Sequence, residues 1–119
     1  MERTRERRRR TRVPLEVELC ELNERGEALV RAKDISELGI CYAESAFAPR
    51  LDGDEVLLRF HLPGDPEPLE VPAMIADERC LARTSETRVT FMWPRAGDAK
   101  RIREYVAVRA ESSKSDRRR

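Results

Sequence analysis

The chain has 119 residues, 24 basic and 23 acidic, for a formal net charge of +1, and this length suits one domain with one modest core. The charge is segregated: residues 1–12 hold seven arginines against Glu2 and Glu6, residues 109–119 hold five basic against two acidic, and the 12 basic and 19 acidic residues between them leave the body at −7. A body of that sign repels phosphates, which argues against a protein that coats nucleic acid or membrane with its whole surface.

Most of the chain reads as strand. Leu15, Val17 and Leu19 alternate with Glu16 and Glu18, the period of two expected where one face of a strand meets a core and the other meets water. The pattern recurs at Ala28, Val30 and Ala32, and a further strand fits Gly39 to Ala43. It returns at Val56, Leu58, Phe60 and Leu62, at Leu69, Val71, Ala73 and Ile75, and at Val89, Phe91 and Trp93. Turn signals separate these runs: NERG at Asn23 to Gly26, LDGD at Leu51 to Asp54, and PGDPEP at Pro63 to Pro68. Short strands at this spacing predict an antiparallel barrel or sandwich. After Pro94 the period changes. Asp98 is the expected N-cap, and Ile102, Tyr105, Val106 and Arg109 share one side of an amphipathic helix that closes the fold, leaving the basic tail SKSDRRR solvated.

No apolar run of about eighteen residues is present, and the charged start does not read as a secretory signal, so a cytoplasmic protein without membrane insertion is expected. Cys20, Cys41 and Cys80 are far apart and form no CxxC pair; they are expected as small buried hydrophobes, not as metal ligands or disulfides. His61 is the sole histidine and alternates with Phe60 and Leu62, which predicts an outward strand residue. With no nucleophile-base pair in view, catalysis is not expected. Trp93 is expected in the core or at the barrel rim, with base stacking the lesser reading.

Two stretches carry chemistry. KDISELG, Lys33 to Gly39, lies between two strands and presents a carboxylate, a hydroxyl and a glycine, Asp34, Ser36 and Gly39. As a plain turn it needs Asp34 and Ser36 to accept backbone N–H bonds and Gly39 to take positive φ. As a site it offers a carboxylate for the adjacent donors of a guanine's pairing edge and, at the glycine, close approach to backbone. The stretch ERRRRTRVPL, Glu6 to Leu15, is nearly pure arginine ahead of the first strand, and Pro14 disfavours helix for the residue before it. An extended arm of this kind can fold back over a barrel and bring guanidinium groups to phosphate or guanine.

Taken together, RRRTR at Arg8 to Arg12 (RxxxR) and DISELG at Asp34 to Gly39 (DxSxxG) resemble the PilZ domain family. The order of the motifs, the RVPL lead into the first strand, VTF near the end and the terminal helix all agree. The resemblance implies a six-stranded antiparallel β-barrel with a C-terminal α-helix, spanning residues 8–109 between a flexible basic arm (1–7) and a disordered basic tail (110–119). It also implies a ligand, cyclic di-GMP, in place of any cofactor. Arg8 and Arg12 would grip phosphate and guanine, Asp34, Ser36 and Gly39 would contact guanine and phosphate, and Arg7 would influence whether one ligand or an intercalated pair is held. Leu38 stands where many relatives have a second glycine. The expected mechanism is that cyclic di-GMP folds the arginine arm onto the barrel and changes contact with an unidentified partner protein. The alternative is a PilZ-like interaction domain that binds no nucleotide. A nucleic-acid partner is disfavoured by the acidic body.

Overall fold

The computed structural model describes residues 11–24, 26–45, 53–80 and 84–117. Among them are seven strands, β1 (Val13–Pro14), β2 (Glu18–Asn23), β3 (Gly26–Ile35), β4 (Gly39–Ser45), β5 (Glu55–Phe60), β6 (Leu69–Cys80) and β7 (Thr84–Phe91), followed by one helix, α1 (Ala96–Arg117). Every pairing is antiparallel. The order β3-β2-β5-β6-β7-β4 returns to β3 through the β3–β4 pairing, so six strands close into a barrel and β1 is an extra strand on the edge of β3. Closure leaves the six-strand cycle without an open edge.

The alternation read from the sequence is the alternation of the barrel wall. Leu19, Leu58, Phe60, Leu69, Val71, Ala73, Ile75 and Val89 are buried in one core cluster, and Ile102 and Val106 of α1 join it from outside the sheet. Each fully buried Leu, Ile or Phe side chain contributes on the order of 2–3 kcal/mol. Leu62 falls just past β5 yet is buried, and His61 before it is exposed. The Tyr105 hydroxyl donates to the Pro14 carbonyl (3.4 Å), and the Arg101 guanidinium donates to Asp65 Oδ2 (2.7 Å) and the Glu67 carbonyl (2.6 Å). These bonds tie α1 to β1 and to the β5–β6 loop. The Glu67 N–H, with the Arg101 guanidinium second, holds the Asp65 carboxyl below its usual range.

Four local expectations change. The first predicted strand is two: Leu15 N–H donates to the Lys33 carbonyl and Ala32 N–H to the Val17 carbonyl, both at 2.9 Å, so residues 15–17 form an irregular step between β1 and β2 along one edge of β3. Asp98 is not the N-cap. Ala99 N–H already bonds the Arg95 carbonyl (2.8 Å), which places Asp98 inside the first turn, where a negative charge still suits the helix dipole. The helix also takes in residues 110–117 of the expected tail, which contain no glycine or proline to stop it. Finally, Trp93 is not in the core: it is 92% exposed. Met92 N–H is captured by the Pro72 carbonyl (2.8 Å), β7 has ended at Phe91, and Trp93 takes φ +43°, which turns the chain toward α1 and ends the alternation that would have carried the indole inward.

Gly39 has a requirement of its own. It opens β4 opposite Thr90 of β7, and a Cβ there would fall inside the Val89 carbonyl oxygen. The glycine is needed for close strand approach and is not at positive φ.

Two stability outcomes follow. Gly39→Ala should cost about 1–3 kcal/mol or more in urea unfolding, because both clashing groups are backbone held in paired strands, whereas Gly97→Ala, with open space around it, should be neutral or stabilising by up to about 1 kcal/mol. Trp93→Gly should raise the melting temperature by about 2–6 °C, because glycine relieves a left-handed conformation that costs an L-residue about 1–2 kcal/mol and almost no burial is lost; a lower melting temperature would show that the indole is held by packing.

Candidate ligand-binding site

The pairing of β1 with the end of β3, Val13 opposite Ile35 and Pro14 opposite Asp34, sets Arg12, the last residue of the arginine motif, beside the start of DISELG. Arg12 is the residue before β1, and its Nη1 lies 2.9 Å from Asp34 Oδ1. Two residues 22 positions apart in sequence are thus in direct contact. Both side chains are about one-third exposed, so water screens the pair and it is worth no more than about 1 kcal/mol.

A β-bulge turns Asp34 outward. Ala32 pairs with Tyr42 and Asp34 with Cys41, so Lys33 is an extra residue in β3. Without it, strict alternation would place Asp34 on the same face as buried Ala32. With it, Lys33 and Asp34 both stand on the outer wall and Ile35 returns to the core. Beside the Arg12–Asp34 pair runs a second polar chain: Lys33 Nζ donates to Glu86 Oε2 (3.1 Å), and the Cys41 thiol donates to Glu86 Oε1 (3.3 Å). Burial, reinforced by the bond to Glu86, pushes the Cys41 thiol up to about 11, so it stays protonated and is a poor nucleophile. The Cys41 and Lys33 donors in turn hold Glu86 below the usual carboxylate range. Sequence reading did not single out Lys33 or Glu86, because the register that joins β3, β4 and β7 leaves no local signature.

The turn itself is more self-contained than its exposed reading. Ser36 is buried, and its hydroxyl oxygen accepts from the N–H groups of Leu38 (3.2 Å) and Gly39 (3.3 Å), while Ser36 N–H donates to the Gly39 carbonyl (2.9 Å). Phe91 N–H closes the turn onto β7 through the Leu38 carbonyl (2.8 Å). Of the three groups expected at the surface, only Asp34 keeps substantial exposure; Ser36 staples the turn and Gly39 admits the Val89 carbonyl. Asp34 binds Arg12 and not a turn N–H. Arg7 and Arg8 lie outside the described residues, as does the arm of residues 1–7.

A cleft of about 550 Å³ lies elsewhere, between Val17–Glu18 and the β5–β6 loop from His61 to Pro66. It includes no residue of either motif. Among the described residues no group of His, Cys, Asp or Glu side chains is placed to hold a metal ion, and no helix is long and apolar enough to cross a membrane.

Comparison with known proteins agrees with this architecture. No curated protein matches the chain by sequence. Among solved structures, the Bacillus subtilis inhibitor of motility MotI/DgrA superposes with a TM-score of 0.77 at 17% identity, over 86% of this chain and 50% of its own. K. pneumonia MrkH, solved as a complex with c-di-GMP, gives 0.72 at 14% identity, over 88% of this chain and 53% of its own. The chain therefore spans about half the length of these two relatives. The PilZ domain of Escherichia coli YcgR, solved with c-di-GMP, gives 0.67 at 11% identity, over 91% of this chain and 95% of its own. Identities this low bear on the fold alone. The PilZ domain family model matches residues 6–108, and with the closed barrel, the RxxxR and DxSxxG motifs and the juxtaposed Arg12 and Asp34, the chain belongs to the PilZ domain family.

Proposed function

We propose that this PilZ chain is a receptor for cyclic di-GMP, with Arg7, Arg8, Arg12, Asp34, Ser36 and Gly39 forming the site, and that it signals through a partner protein. The contact between Arg12 and Asp34 carries the reading, because it joins the two motifs into one charged recognition point on the barrel wall. Guanine offers N–H donors on its pairing edge, which suit the Asp34 carboxylate, and O6 and N7 acceptors on its other edge, which suit a guanidinium. The phosphates suit arginine through paired bonds. Opening the exposed Arg12–Asp34 pair costs at most about 1 kcal/mol, against about 1.5–3 kcal/mol for each charge-assisted bond to a ligand, so ligand contacts win. The YcgR and MrkH structures solved with c-di-GMP share this fold.

In this reading Ser36 and Gly39 act by shape: they hold the turn that fixes Asp34, and their direct ligand contacts are secondary. The basic arm, at +5 over residues 1–12 against a body at −7, is drawn over the site when the ligand neutralises it. Arg7 and Arg8 then complete the phosphate grip, and Arg7 biases the stoichiometry. The reordered surface is what a partner reads. The chain acts as a cytoplasmic binding module and not as an enzyme. A second reading, a PilZ-like interaction domain that binds no nucleotide, is supported by one observation: Ser36 and Gly39 are already accounted for by the fold, and Arg12 and Asp34 satisfy each other.

Calorimetry with cyclic di-GMP separates the two. Wild-type protein should bind. Arg8→Ala, Arg12→Ala and Asp34→Ala should each weaken binding roughly tenfold to more than a hundredfold, the equivalent of about 1.5–3 kcal/mol, while leaving the fold intact, since the Arg12–Asp34 pair adds little to stability. Equal affinity in wild type and all three variants overturns the site, and silence in the wild type itself favours the interaction domain.

A further inference from the structure

Trp93 combines three properties that the fold itself does not use. It is the sole tryptophan, it is 92% exposed, and among the described residues it is the one non-glycine residue at positive φ. A strained backbone that delivers a large apolar plate into water is the reverse of what folding favours, and such outliers point to function. Its position is well defined. Two residues earlier, Phe91 N–H holds the Leu38 carbonyl of the DISELG turn; one residue earlier, Met92 N–H holds the Pro72 carbonyl; one residue later, Pro94 restricts the chain before α1 begins at Ala96. The indole therefore leaves the barrel two residues beyond the bond that joins β7 to the turn following Asp34.

Resting on the reading of this chain as a cyclic di-GMP receptor, we propose that Trp93 stacks on a guanine face of the ligand held by Arg12 and Asp34. Those two side chains address the edges and phosphates of the nucleotide and leave the flat faces of its bases uncovered. An indole is the side chain best suited to cover one, through its polarisable ring and low conformational entropy. The left-handed backbone at residue 93 is what makes this available, since strict alternation from buried Phe91 would direct the side chain inward. A protein-binding role also uses exposed tryptophans, but Trp93 lies only two residues from the Phe91 bond to the turn following Asp34, which favours the nucleotide.

The single tryptophan makes the test direct. Full-length protein is titrated with cyclic di-GMP by calorimetry, which reads binding wherever it occurs, and by tryptophan fluorescence, which reads residue 93 alone. Trp93→Ala, Trp93→Phe and Asp34→Ala are carried through calorimetry in parallel. Stacking predicts quenching of the Trp93 emission that saturates at the calorimetric stoichiometry. It also predicts roughly five- to more than a hundredfold weaker binding for Trp93→Ala, with a smaller loss for Trp93→Phe. Alanine keeps an L-residue at the same backbone position, so the change reads the ring and not the strain. If the ligand binds, Asp34→Ala weakens it, and yet Trp93 emission and Trp93→Ala affinity are both unmoved, the stacking inference is overturned while the receptor reading stands, and the indole is left as a protein contact. If wild-type protein gives no heat and no quenching, the receptor reading itself fails and the stacking role with it.

Discussion

The structure turns on β3, which is hydrogen-bonded along both edges to three different strands. Its first half pairs with β2 and its last two residues with β1 on one side, while Arg31 to Ile35 pair with β4 on the other. The β4 pairing closes the barrel. The β1 pairing brings Arg12 to the end of the same strand. The Lys33 bulge, formed where β1 and β4 flank β3, turns Asp34 outward to meet Arg12. Closure, motif assembly and the aim of the central carboxylate thus share one backbone ladder.

That arrangement divides the two motifs between scaffold and contact. Ser36 and Gly39 read in isolation as surface groups awaiting a ligand, yet both are buried. The hydroxyl oxygen takes up two backbone N–H groups of its own turn, and the missing Cβ is the space filled by the Val89 carbonyl. In this chain Ser36 and Gly39 are both spent on building the turn that follows Asp34. Arg12 and Asp34 are the open part: both side chains are about one-third exposed, and the pair is only weakly coupled.

The neighbourhood of the site is built from the same register. Lys33, Glu86 and Cys41 meet only because β4 aligns with both β3 and β7; burial with the bond to Glu86 raises the Cys41 thiol, and the Cys41 and Lys33 donors lower Glu86. At the far end of β7, Phe91 bonds Leu38 of the DISELG turn, and two residues later the chain leaves the sheet through Trp93, left-handed and exposed. An acidic barrel with a basic leading arm adds long-range attraction between the two, which falls with ionic strength.

The sequence by itself determined the fold class and the identity of the charged residues. Alternating runs such as Leu69, Val71, Ala73 and Ile75 specify a half-buried strand because side-chain period in a strand is local geometry, and the spacing of Ile102 and Val106 specifies a helix face for the same reason. RxxxR and DxSxxG were readable as words. Only the tertiary structure decided that those two residues touch, that Ser36 and Gly39 are spent on the turn, that one predicted strand is two, and that Trp93 faces water. Each of these depends on strand register, on a bulge or on a single left-handed residue. Such features are set by hydrogen bonds between segments distant in the chain, and no local period encodes them.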